Sequence, residues 1–329
     1  MRTWNLQYAC LAILLAISQA NGASPEPLTL VKIIPLKGVA GKLDHLAVDS
    51  KGERLYVANK TNNTLDVVDL ANGKLIRQVS DQGKVSGVAY SADLNLVYVG
   101  NGAGTCNAFD RQDFKQAFST PTPNADNIHY HSGNQTVYVG QDEILSELDA
   151  KTGAIKASIQ LPGAVHGFKI DKKAGKIYAV LTNPNLVAVV DIAKREVTDK
   201  FELTLSDAGS PVAQDSENGL LFVGCPKKKP MVVVFDLKNG KEVAQIDIPA
   251  GVDDIHYDKR GHRLYASCGA GALVAIERSD DGYKVVTQME VPKDSRTCAW
   301  SSGHLYLGVP RQEGKEGPEV WVYESAPKE

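Results

Sequence analysis

Short apolar runs recur along this chain, bounded by Gly, Asn, Asp and Pro, and no helical period competes with them. The clearest set lies near the start, where residues 43–49, 54–59, 64–70 and 74–79 are rich in β-branched, aromatic and aliphatic side chains. Runs of that length and make-up read as strands joined by turns. The set then repeats. An aromatic residue followed by small or apolar residues marks its second strand seven times, at Tyr56, Tyr98, Tyr138, Tyr178, Phe222, Tyr265 and Tyr306, with spacings of 42, 40, 40, 44, 43 and 41. A period of roughly 40–45 residues is the one at which four short strands make a propeller blade.

Each unit therefore reads as strands a, b, c and d. Tight turns join a to b and c to d, as at Gly133-Asn134, Asn218-Gly219, Asn72-Gly73 and Asn239-Gly240. Gly and Asn tolerate the positive φ that such turns need. An aspartate recurs at the end of strand c, at Asp69, Asp110, Asp149, Asp191 and Asp236. Five carboxylates in register are expected to be turn caps, because a catalytic one need occur only once. The seventh unit lacks a fourth strand, and residues 28–36, ahead of the first strand a, have the character of the missing one. The expected fold is all-β: a seven-bladed β-propeller of four-stranded antiparallel blades, residues 24–329, its last blade closed by the N-terminal strand.

Residues 1–23 break the pattern. Arg2, an apolar stretch over residues 9–17 and small residues up to Ala23 have the form of a cleavable signal peptide, so the expected location is periplasmic or secreted. No second long apolar stretch follows that could span a membrane. Arg2 is the leader's only charged side chain, leaving 35 Lys and Arg against 39 Asp and Glu, a net charge of −4. That balance argues against nucleic acid as partner, since phosphate affinity comes mainly from Lys and Arg. A monomer is expected.

The units resemble the YVTN-repeat family of bacterial β-propellers, the YncE-like and surface-layer-like proteins. The carriers are Leu55-Tyr56-Val57-Ala58-Asn59 in strand b and Val67-Val68-Asp69-Leu70 followed by Asn72-Gly73-Lys74 in strand c. The resemblance implies an exported propeller, and for a few members association with single-stranded DNA or with the cell surface. This chain departs from the pattern after strand b, where Asn59 and Asn101 give way to Gln141, Leu181, Cys225, Cys268 and Val309.

With the tight hairpins on one face, the longer b–c and d–a connections share the other and surround the central channel. That face is where a ligand is expected. Strand a opens there with Asp44-His45, Ser86-Gly87, Asp126-Asn127, His166-Gly167, Ser210-Pro211, Asp253-Asp254 and Arg296-Thr297, while the b–c loops add Lys60 and Arg311. Two readings fit these polar pairs: they cap strands and bind loop amides, or they form a convergent ring for a ligand or a divalent cation. The candidate ligand-binding residues are Asp44, His45, Lys60, Asp126, Asn127, His166, Asp253, Asp254, Arg296 and Arg311. His129 and His256 share a repeat position where other blades have Ala47, Ala89 and Ala213, and are expected to be buried between blades, hydrogen-bonding a neighbour. His131, His262 and His304 are expected on the hairpin surface. Cys268 and Cys298 form the expected disulfide in an oxidising compartment; a thiolate metal site with His45 lacks the usual ligand spacings.

No catalytic residue, nucleophile motif or organic cofactor site stands out. The expected function is non-enzymatic binding of a small ligand, peptide or envelope partner around the channel. The alternative is a metal-dependent lactonase-like hydrolase or lyase, with a cation at the channel mouth polarising a carbonyl.

Overall fold

Strand b is buried along nearly its whole length, as at Leu55, Tyr56, Val57 and Ala58, whereas strand d of the same blade, Lys74–Val79, is largely exposed. A strand flanked on both faces by neighbouring sheets must be apolar at successive positions; one at the rim need not be. The computed structural model describes residues 27–326 apart from 40, 50, 52, 207, 280 and 281. The expected signal peptide lies outside the described residues.

Among the described residues the strands form seven four-stranded antiparallel sheets arranged as a ring. Seven apolar clusters hold it, one at each interface between successive blades. Alternation along strand b divides its side chains between two interfaces. In blade 6, Leu264, Ala266 and Cys268 pack toward blade 5, while Tyr265 packs toward blade 7.

Closure is as the strand count requires. Leu28–Pro35 pairs antiparallel with Glu319–Ser325, from Leu28 opposite Ser325 to Pro35 opposite Glu319, and supplies strand d of blade 7. The five strand-c aspartates cap their turns: Asp69 accepts from the Asn72 N–H at 2.9 Å, Asp110 from Gln112 at 2.7 Å, Asp149 from Thr152 at 3.0 Å, Asp191 from Lys194 at 2.9 Å and Asp236 from Lys238 at 2.8 Å.

All four described cysteines are buried free thiols, so the expected Cys268–Cys298 disulfide is corrected. Cys268 packs into the interface between blades 5 and 6, and Cys298 into the one between blades 6 and 7. Blade 6 separates the clusters to which they belong. His131 is also corrected: it is buried, and its Nδ1 accepts the Gly133 N–H at 3.1 Å.

Candidate binding site at the channel mouth

Strand a of each blade is the innermost, and a local irregularity sets which of its residues reach the channel. In blades 2, 3, 4 and 6 the a–b pairing slips between Val85 and Val88, Ala125 and Ile128, Val165 and Gly167, and Val252 and Asp254. A bulge places an extra residue on one strand and re-aims the side chains around it. Here the bulged residues include Asp126, Asn127, His166 and Asp253. Two consecutive residues can then approach the channel where strict alternation would send one of them away.

A cavity of about 210 Å³ opens at this level, lined by residues of blades 1 to 6. Asp44, His45, Lys60, Asp126, Asn127, His166, Asp253 and Asp254 all line it. Arg296 stands beside them, with its Nε 3.9 Å from Asp253 Oδ2 and its guanidinium also bonded to Asp294 at 3.0 Å. Arg311 is a correction: it is exposed in the loop after strand b of blade 7 and does not line the cavity.

The mouth is a network of charges. Lys60 Nζ donates to Asp44 Oδ2 at 2.6 Å. His45 Nδ1 lies 3.1 Å from Asp254 Oδ1, and Asp254 Oδ2 accepts the Cys298 N–H at 3.0 Å. The other imidazole nitrogen of His45 faces Asp44 Oδ1 at 3.8 Å. Asn127 donates to the His166 carbonyl at 2.5 Å. Burial works to lower the His45 pKa, but adjacent Asp254, reinforced by Asp44 and Asp126, holds it well above the usual imidazole value. Asp253 is pushed up to about 6 by burial; His45 and Arg296 oppose the rise, and Asp254 and Asp44 reinforce it. Asp44 is raised because burial outweighs the pull of His45 and Lys60.

Below the mouth lies a second tier of basic side chains. His129 and His256 line the same cavity, as does Lys169, which belongs to the same repeat position. The register shows this: Ala47, Ala89, His129, Lys169, Ala213, His256 and Ala299 each face the aromatic residue of strand b. Of these seven, His129, Lys169 and His256 line the cavity, while the four alanines pack into the clusters between blades. His256 Nε2 lies 3.0 Å from the Cys298 carbonyl, and His129 stands edge-on to Phe168 at 4.7 Å. Burial lowers both histidines, His129 to about 3, with Lys169, His45 and His256 adding to its shift. Lys169 holds in blade 4 the repeat position that His129 and His256 hold in blades 3 and 6.

Two glycines show how tightly the mouth is built. A Cβ at Gly87 would fall on the Asp126 carbonyl oxygen, and one at Gly167 on the Ser210 carbonyl oxygen, each in the next blade. Backbone cannot yield as a flexible side chain can. Gly87→Ala should therefore cost about 2–3 kcal/mol, the upper range for overpacking. Denaturant unfolding checks this, and an unchanged midpoint would mean that the blades are free to slide apart at this level.

For a metal, the best donor set is Asp44, His45 and Asp126, whose ligand atoms lie within 4.8 Å of one another. A carboxylate that fixes one nitrogen of a histidine, as Asp254 does for His45, leaves the other nitrogen available as a ligand. The set suits a divalent cation taking mixed N and O donors, with Lys60 on Asp44 as its competitor.

No helix among the described residues is long and apolar enough to cross a membrane. The seven-bladed fold is shared with the hydrazine synthase of Kuenenia stuttgartiensis, at a TM-score of 0.77 and 16% identity, over 89% of this chain and 98% of that one. Two curated relatives, both titled uncharacterized protein YncE, come from Salmonella typhi and Salmonella typhimurium strain LT2. Each is 24% identical over 199 residues, 58% of this chain and 54% of the relative, so the chain spans about half the length of the curated relatives it matches. Residues 61–313, which take in part or all of every blade, match the PQQ_2 family, described as outer membrane protein assembly factor BamB. With the match running over most of its length, the chain belongs to the PQQ_2 family of BamB-type repeat proteins.

Proposed function

We propose that this protein is an exported, non-enzymatic binding propeller, one of the YVTN-like members of its fold, that holds a small ligand at the channel mouth. The observation that carries the reading is the cavity itself: charged side chains from several blades converge on about 210 Å³ at the loop-rich face. Convergent polar groups in a cavity of a rigid scaffold are the usual form of a binding site. Its size suits a small molecule, or the end of a peptide or envelope partner, better than a folded surface. The apolar leader of the sequence and the family's description as an outer membrane assembly factor both support a place in the cell envelope.

The test is a thermal-shift screen of charged small molecules on the full chain and on Asp44→Asn/Asp126→Asn. Ligands that stabilise the parent should lose their effect on the double variant. Binding that survives the double substitution, with amide protection centred on Lys51, Lys173 or Arg260 of the hairpin face, would place the site elsewhere.

A second reading, a metal-dependent lactonase-like hydrolase or lyase, is favoured by the donor set of Asp44, His45 and Asp126. Elemental analysis of protein from its native compartment separates the two. A stoichiometric divalent metal, together with lactone hydrolysis lost on chelation, would establish the second reading over the first.

A further inference from the structure

Blade 6 departs from its neighbours at the hairpin that joins strands c and d. In blades 1 to 5 the residue of strand c opposite the first residue of strand b is the aspartate that caps the turn. In blade 6 that position holds Glu277, and its carboxylate turns to Arg263 Nε at 2.5 Å. Without an aspartate to close the turn there, pairing runs on through Arg278 opposite Tyr283 and Ser279 opposite Gly282. Strands c and d of this blade, Ala272–Ser279 and Gly282–Glu290, reach 8 and 9 residues. Elsewhere strand c has 6 or 7 residues and strand d 6 to 8.

The longer hairpin walls a second cavity, of about 530 Å³, on the hairpin face between blades 5 and 6. It shares no lining residue with the cavity at the channel mouth. Three aromatic rings shape it. Phe222, buried in the cluster between the two blades, stacks with Tyr257 at 5.5 Å between ring centroids and meets Tyr283 edge-on at 5.7 Å. Faces and edges presented in this way hold a further ring by stacked and T-shaped contact.

The polar groups decide what charge that ring carries. Asp215 also lines the cavity, but its carboxylate is taken up by Asn218 Nδ2 at 2.6 Å and by the Glu217 and Asn218 N–H groups at 3.2 Å. Arg278 is open: directly across from Tyr283, and so on the same side of the hairpin, it lines the cavity and makes no hydrogen bond or ion pair among the described residues. An exposed arginine alone would mean little; this one stands at the rim of an aromatic cleft.

We propose that this cleft is a second binding site, independent of the channel mouth, and that it takes a small aromatic carboxylate. The ring lies against Tyr257 and Tyr283 over Phe222, and the carboxylate pairs with Arg278, whose planar fork matches it. The volume falls within the range of roughly 300–1,000 Å³ usual for small-molecule sites. An aromatic cation suits the cleft less well, since Arg278 repels it and Asp215 has its acceptors occupied.

Calorimetric titration of the full chain with 2-naphthoate tests the proposal. Two controls accompany it: 2-naphthylmethanol, which lacks the charge, and cyclohexanecarboxylate, which lacks the aromatic ring. 2-Naphthoate should bind, and each control about tenfold or more weakly. Arg278→Gln should weaken naphthoate binding about tenfold or more, as loss of a charge-assisted hydrogen bond implies, and Tyr283→Leu about threefold or more, as loss of a ring pair implies. An unchanged melting temperature in Arg278→Gln, which alters an exposed side chain, separates lost contact from lost fold. Asp44→Asn/Asp126→Asn should bind 2-naphthoate as the parent does. Affinity unaffected by both Arg278→Gln and Tyr283→Leu would overturn the proposal, as would no binding of 2-naphthoate at millimolar concentration. Loss of binding in Asp44→Asn/Asp126→Asn would also overturn it, by placing the ligand in the channel mouth and leaving that reading intact.

Discussion

Removal of residues 28–35 should leave a protein that no longer holds together as a monomer. That segment is strand d of blade 7, and it contributes Leu28 and Ile34, both essentially inaccessible to solvent. Ile34 joins the cluster between blades 7 and 1, and Leu28 the cluster between blades 6 and 7. Burial of two such side chains is worth about 3–6 kcal/mol, against a total stability for a domain of about 5–15 kcal/mol. Deletion also strips the partner from Glu319–Ser325, exposing seven residues of strand backbone as a template for another chain. Size-exclusion chromatography and thermal melting read both effects. A monomeric deletion protein with an undiminished melting temperature would show that the ring does not need its latch.

The architecture was legible because the repeat writes it seven times. One blade read from Tyr56 or Tyr98 gives the others, and the missing strand identifies its replacement at the N-terminus. The mouth was legible for the same reason, since seven-fold geometry turns the positions of Asp44, Asp126, His166 and Asp253 into a ring. What stayed hidden depends on which side of a strand a residue faces. Cys268 and Cys298 lie close along the fold but on opposite sides of blade 6, and only strand parity shows it. His129 and His256 look like interface residues when strand a is taken to be enclosed on both sides. The innermost strand borders the channel, and His129, Lys169 and His256, opposite the strand-b aromatics, line the cavity there. Lys169 escaped notice because its neighbours, Phe168 and Ile170, make it read as an ordinary surface lysine. His131 was misplaced because proximity to a hairpin does not by itself mean exposure.

Replacement of Asp254 by Asn should release His45 from its raised pKa while leaving the blades packed. Asn keeps an oxygen to accept the Cys298 N–H, which Asp254 Oδ2 now takes at 3.0 Å, so the link from blade 6 to blade 7 survives. What disappears is the charge 3.1 Å from His45 Nδ1. Burial, the largest influence on His45 and one that lowers its pKa, is then opposed only by the more distant Asp44 and Asp126. A histidine whose folded pKa is raised adds stability that is full below its unfolded value, about 6.5, and fades as pH climbs through the folded value. The variant loses that contribution. Its melting temperature should fall furthest below the parent's at pH below about 6.5, and the gap should narrow as pH rises. The cost at acid pH should be about 1.5–3 kcal/mol, the range for a hydrogen bond to a charged group. An NMR titration of the His45 ring checks the cause directly, since its midpoint should move to lower pH in Asp254→Asn. If His45 titrates at the same pH in both proteins, Asp254 does not hold the imidazole charge, and the mouth network must be organised by Asp44 and Asp126 instead.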